Sequence, residues 1–219
     1  MNLFIDLETI PSQAEGALED ASALVKVPAN YKKPEAIEKY RQTHAEEAYR
    51  KTALQGIAGE ICSIAWAFDS KDICVCTRDE TTSEGDLLQC FFYDLRFDDG
   101  RGEFQRITWI GHNLINFDLR FLKQRSLVNR IRCPVHIPAD ARHGSNNVFD
   151  TMKEWAGWRG YVKQDTLYAA LGGPPFENDT MDGSQVWDLW KDGKFDELSE
   201  YNKRDVEKLR FIYNAMVWT

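Results

Sequence analysis

Asn2-Leu3-Phe4-Ile5-Asp6-Leu7-Glu8-Thr9 opens on apolar residues and then alternates acidic, apolar, acidic. The run reads as a β-strand, ended by Pro11, which has no N–H to continue a ladder. Successive side chains alternate across a strand, so Asp6 and Glu8 point to the same side. Two carboxylates held there repel one another unless a proton or a metal ion intervenes. Asp205 and Glu207 repeat the spacing inside a predicted helix, where it carries no such meaning. What distinguishes the first pair is its position at the C-terminal part of an apolar first strand.

Working outward, residues 13–54 are rich in Ala, Glu and Lys, with helical patches at Ala14 to Val25 and Pro34 to Leu54 broken around Pro28 and Asn30. This is a helical insertion after the first strand. Glu60 to Phe68 and Asp72 to Thr77 read as two strands of a hairpin, turning at Asp69 to Lys71. A helix over Glu84 to Tyr93, a loop at Asp98 to Gly102 and a fourth strand over Ile107 to Gly111 follow. Asn116 is placed to cap a helix starting at Phe117. A short helix over Thr166 to Leu171 stops at Gly172-Gly173-Pro174-Pro175. The last helix runs from Asp196 to Met216, with Leu198, Tyr201, Leu209, Ile212 and Met216 on one face and Glu200 and Arg204 as an i,i+4 pair. Strands first and helices later imply an α/β fold, a mixed sheet flanked by helices, within one domain spanning 1–219.

Two further acidic residues occupy informative positions. Asp118 ends His112-Asn113-Leu114-Ile115-Asn116-Phe117-Asp118, directly after the fourth strand, at the kind of strand-to-helix turn where open α/β sheets bind ligands. Its alternative role is to favour the helix N-terminus electrostatically. Tyr201 and Asp205 lie four apart in the strongest helical pattern and so share a face. Tyr161 and Asp165 have the same spacing, which shows how little the pair means in isolation.

Taken together, Asp-x-Glu on the first strand, Asn-x-x-x-Phe-Asp in the middle and Tyr-x-x-x-Asp on the final helix resemble the DEDD superfamily of 3′-5′ exonucleases, in its tyrosine-bearing (DEDDy) branch. The match is to the proofreading exonuclease domains of family B DNA polymerases and their stand-alone relatives. Supporting stretches are Phe4 to Thr9, Gly111 to Leu122, Gln164-Asp165-Thr166-Leu167 with Leu171-Gly172, and Tyr201 to Val206. The resemblance implies an RNase H-like fold with a mixed five-stranded sheet. It also implies that Asp6, Glu8 and Asp205 hold one divalent cation, that Asp6 reaches a second, and that Asp118 helps through water or directly. Tyr201 would orient the attacking water, while Thr9, His112, Asn113 and Phe117 would contact the strand end. The His112-Asn113 start departs from the tyrosine-asparagine often seen in the polymerase domains, and the 13–54 insertion has no assigned counterpart.

Elementary chemistry agrees with that assignment. Carboxylates without nearby His or Cys suit Mg²⁺ or Mn²⁺ better than Zn²⁺, and two such ions stabilise the attacking and leaving oxygens of an in-line displacement. A phenol with an ordinary pKa near 10 is a poor base at neutral pH, so positioning is the role expected of Tyr201. The expected activity is removal of nucleoside 5′-monophosphates from the 3′ end of DNA, single-stranded. The alternatives are an exoribonuclease similar to RNase D and a catalytically idle nucleic-acid or protein-binding module on the same fold.

The formal charge of −8 argues against a high-affinity polyanion binder, although bound cations invert the sign locally. Arg120, Lys123, Arg125, Arg130 and Arg132 form a basic segment that reads either as a phosphate-contacting face or as a solvated helix face. The seven tryptophans are expected in the core. Five cysteines without framework spacing are expected as buried thiols in a reducing, intracellular and cytoplasmic setting. Cys133 and His136 lack the second pair a zinc site needs. No leader or membrane span is expected, no polymerase domain fits in this length, and any replication or repair role would need separate partner proteins.

Overall fold

The computed structural model describes residues 1–96, 107–177 and 181–218. Its elements are β1 (Asn2–Ile10), α1 (Ala17–Ala23), α2 (Pro34–Lys51), β2 (Glu60–Phe68), β3 (Cys74–Thr77), α3 (Glu84–Asp94), β4 (Thr108–Gly111), α4 (Asp118–Val128), β5 (Val148–Asp150), α5 (Thr151–Ala156), α6 (Gln164–Ala170), α7 (Val186–Lys191) and α8 (Phe195–Val217). The expected loop at Asp98 to Gly102 lies outside the described residues. The strands form one mixed five-stranded sheet in the order β3-β2-β1-β4-β5. β1 is antiparallel to β2 and parallel to β4, and β5 continues the parallel side. This is the expected α/β, RNase H-like arrangement, with the helical insertion leaving the sheet after β1.

Alternation along β1 divides its work between the two faces. Leu3, Ile5 and Leu7 join Ile64 and Trp66 of β2 in a core closed by Leu88, Phe91 and Phe92 of α3 and by Leu119 and Leu122 of α4. Phe4 faces the other way, where Ala65, Ala67 and Ile110 meet Val206 and Leu209 of α8. The small side chains of Ala65 and Ala67 leave room for α8 to lie close to the sheet. Asp6 and Glu8 share the α8 face, so the strand period aims both carboxylates at the helix that carries Tyr201 and Asp205.

Several expectations are corrected by packing. Asn116 does not cap α4: Phe117 occupies that position without a side-chain cap, and Asn116 donates to Asn113 Oδ1 instead. Glu200 pairs with Lys203, while Arg204 Nε donates to the Glu200 carbonyl oxygen. Trp66, Trp109 and Trp190 are core residues, but Trp155, Trp158 and Trp218 are exposed. Cys76 and Cys90 are joined as a disulfide where β3 meets α3. Of the other thiols, Cys62 is buried, Cys133 is half-buried and Cys74 is exposed.

Arg125 leaves the basic face altogether. Its guanidinium is buried and grips Glu84 through Nε at 2.9 and 3.1 Å and Nη2 at 2.7 Å. Glu84 also accepts from the Ile61 N–H and from Asn129 Nδ2, so this one carboxylate ties α3, α4 and β2 together. Arg125→Ala would strand a buried anion and is expected to destabilise the protein by about 3–5 kcal/mol. Urea unfolding measures this; a loss under about 1 kcal/mol, the value of an exposed pair, would show that the bridge is not structurally important.

Candidate active site

β4 pairs with β1 only over Asn2 to Phe4, so the distal half of β1 runs on without a neighbour on that side. The chain turns there from Gly111 into α4. The buried Asp118 carboxylate accepts from the Leu7 N–H that a longer β4 would have taken. A bulge between Glu8 and Thr9 shifts the register against β2 at the same place, and such irregularities commonly re-aim side chains beside functional sites.

Asp6, Glu8 and Asp205 each place a carboxylate oxygen within 4.8 Å of the others. Asp118 stands outside this trio but close enough for its charge to act on both Asp6 and Glu8. Burial, reinforced by the charges of their acidic neighbours, raises Asp6 and Glu8 well above the ordinary carboxyl range. Burial likewise pushes Asp118 to about 7 and Asp205 to about 6. The Tyr201 hydroxyl donates to Asp205. Its own pKa is driven upward by burial and then by the charges of Glu8, Asp205 and Asp6.

Residues without a role in the sequence reading hold these groups in place. Asn202 Nδ2 donates to Asp6 Oδ2 at 2.7 Å, while its Oδ1 accepts from Ser63 on β2 at 3.0 Å. The buried Lys208 approaches Asp205 at 3.4 Å and Asp165 at 2.6 Å, and its charge partly offsets the effect of burial on Asp205. Gln164 donates to the Asp205 carbonyl oxygen. Asp150, at the end of β5, accepts from the N–H groups of Asn113 and Ile115 at 3.0 Å each, and also caps α5. That grip holds Asn113 at φ 62°, a left-handed conformation that Asn tolerates better than most residues. Asn202 and Lys208 are polar residues on the buried side of α8, a position that marks them as partnered without showing by what; Asp150 ends a strand too short to show a period.

The remaining candidates divide. Thr9 and Phe117 line a cavity beside Glu8. Asn113 lies at the turn between β4 and α4. Both ring nitrogens of His112 are engaged inside the protein, Nδ1 with Thr151 Oγ1 at 2.9 Å and Nε2 with the Val162 carbonyl at 2.8 Å. His112 therefore ties the end of β4 to the segment before α6, and its imidazole pKa is lowered by burial. The arrangement is a half-buried, all-oxygen cluster of carboxyl groups beside an open cavity, a donor set suited to hard divalent cations. No described helix is long and apolar enough to cross a membrane.

A family model described as "Predicted 3'-5' exonuclease related to the exonuclease domain of PolB" matches residues 47–218. The match covers Asp118, Tyr201 and Asp205 but begins after the strand that carries Asp6 and Glu8. No curated protein matches the chain.

Proposed function

Because the chain belongs to the family of predicted 3′-5′ exonucleases related to the exonuclease domain of PolB, we propose that it shortens DNA from the 3′ end, acting on single strands and releasing nucleoside 5′-monophosphates, with residues 1–219 as one exonuclease domain. The observation that carries this reading is the convergence of Asp6, Glu8 and Asp205, from opposite ends of the chain, under the hydroxyl of Tyr201.

Four acidic groups held largely out of water repel each other, and a divalent cation relieves that repulsion. Asp6, Glu8 and Asp205 would hold one Mg²⁺ or Mn²⁺, with Asp6 reaching a second and Asp118 assisting through water or directly. Two bound ions would supply the positive charge that in-line displacement at phosphorus requires. The chain's own contribution is positional. Asn202 fixes the rotamer of Asp6, Lys208 and Gln164 hold the segment around Asp205, and Asp150 holds the Asn113 turn. Tyr201, kept protonated at neutral pH by burial and by its acidic neighbours, orients the attacking water by hydrogen bonding. Bound cations would also let a chain of net charge −8 accept a polyanion at this point.

Digestion of matched DNA and RNA single strands carrying a 5′ label, with Mg²⁺ or Mn²⁺, tests the reading. Stepwise shortening of DNA is expected. Internal cuts would overturn the exonuclease assignment, and a preference for RNA would make the enzyme an exoribonuclease similar to RNase D. Tyr201→Phe is expected to slow the reaction by up to about 10²-fold, the scale of a misplaced reactant, and by less than the loss of a carboxylate. An inert Phe variant would mean that the hydroxyl does more than orient water.

A further inference from the structure

Beside Glu8 and Thr9 opens a mostly apolar cavity of about 430 Å³. Phe117 borders it from the sheet side, Lys51 and Leu54 from the end of the helical insertion, and Trp187 from α7. Gly183 also borders it, and a side chain there would stand 3.9 Å from the Tyr201 hydroxyl, so the cavity extends to the proposed reacting centre. Leu54, 67% exposed, presents an apolar side chain to water at the rim.

The wall formed by the insertion is fixed to the rest of the fold. Arg50 donates from both terminal nitrogens to Asp188, Nη2 to Oδ1 at 2.6 Å and Nη1 to Oδ2 at 3.0 Å. Tyr49 meets the Trp187 ring edge-on at 5.9 Å and donates to the Ser12 carbonyl at 2.9 Å. The end of α2 and the start of α7 are thus bridged across a cavity whose lining combines the rings of Phe117 and Trp187, the apolar Leu7, Ala53 and Leu54, the cations Arg50 and Lys51, and the carboxylates of Glu8 and Glu47. A nucleotide presents the matching set: a flat apolar base and an anionic phosphate.

We infer that the insertion completes the substrate site: the cavity takes the base of the strand's terminal nucleotide against Phe117, Leu54 and Trp187, and the Arg50–Asp188 bridge positions the outer wall. This rests on the exonuclease reading for the strand's polarity but not for its binding. Lys51 at the rim, whose present partner is Glu47 in an exposed pair, is free to exchange it for a phosphate at little cost.

The test is fluorescence anisotropy of a 5′-fluorescein oligothymidylate in Ca²⁺, with cleavage kinetics in Mg²⁺ measured in parallel. Leu54→Ala is expected to weaken binding and raise KM about tenfold, the lower end of what one base contact contributes, with kcat changed less than about twofold. Leu54 is exposed, so its loss cannot be ascribed to misfolding. Arg50→Asp and Asp188→Arg should each weaken binding, and the two combined should restore it. Native-like binding by Leu54→Ala and both charge reversals would overturn the inference while leaving cleavage standing. Weakened binding in a protein that never cleaves would support the cavity and sink the exonuclease reading instead.

Discussion

Asp6→Ala is expected to abolish metal-dependent cleavage, lowering kcat by on the order of 10³-fold or more, the scale on which loss of one electrostatic stabiliser at a reacting centre is felt. Asp6 is the carboxylate placed to serve both cations in the proposed arrangement, and Asn202 donates to it. Asp205→Ala should behave the same way, since it removes both a ligand of the trio and the acceptor for Tyr201. Asp118→Ala, outside the trio, should lose less. The substitutions are not expected to unfold the protein, because each removes an anion from a cluster that burial and repulsion already oppose. End-labelled DNA digestion with circular dichroism as the folding control measures this. Cleavage at the native rate by a folded Asp6→Ala protein would show that the cluster is not the reaction centre.

The same cluster shows why the sequence is readable in some places and not in others. β1 is legible because its apolar run and two-residue acidic spacing are local properties, and α8 because its apolar stripe is long. The insertion is legible from composition and from its break at Pro28. β5 is not: Val148-Phe149-Asp150 is too short to show a period and becomes a strand through pairing with β4. Asp150, which sets the Asn113 turn, is hidden with it. Arg125 looks like surface charge by residue type, yet it follows Phe121 by four and Leu122 by three and so falls on the buried face of α4, where Glu84, 41 residues away, pairs with it. Asn202 lies beside Tyr201 in the final motif without a role of its own there, since its partners Asp6 and Ser63 come from two different strands. Cys76 and Cys90 meet through the packing of β3 on α3, which their spacing of 14 does not reveal.

The metal-free protein is expected to lose stability as pH rises from 5 to 8, and Mg²⁺ or Mn²⁺ is expected to restore it. Asp118 and Asp205, raised by burial to about 7 and about 6, bind protons more tightly in the folded chain than in the unfolded one, where carboxyls titrate near 4. A carboxyl raised in this way favours the folded state fully below its unfolded pKa, and the advantage is lost as pH climbs through the folded value. The window for these two groups therefore runs from about 4 to about 7. Asp6 and Glu8 are raised in the same direction and add to the effect. Every tenfold difference in proton affinity between the folded and unfolded chain corresponds to about 1.4 kcal/mol, so from pH 5 upward Asp118 and Asp205 account for roughly 4 kcal/mol, and at about 2–4 °C per kcal/mol for a chain of this size the Tm should fall by on the order of 10 °C. A divalent cation replaces the missing protons with a larger charge and stabilises the form it binds. Other groups also titrate in this range, so the decisive comparison is between proteins: Asp6→Asn and Asp118→Asn should flatten the decline and shrink the metal-induced rise. Thermal denaturation in EDTA and in millimolar Mg²⁺ at pH 5, 6, 7 and 8 measures all of this. If native and Asn-substituted chains follow one pH profile and metal moves neither, these carboxylates do not form a cation site.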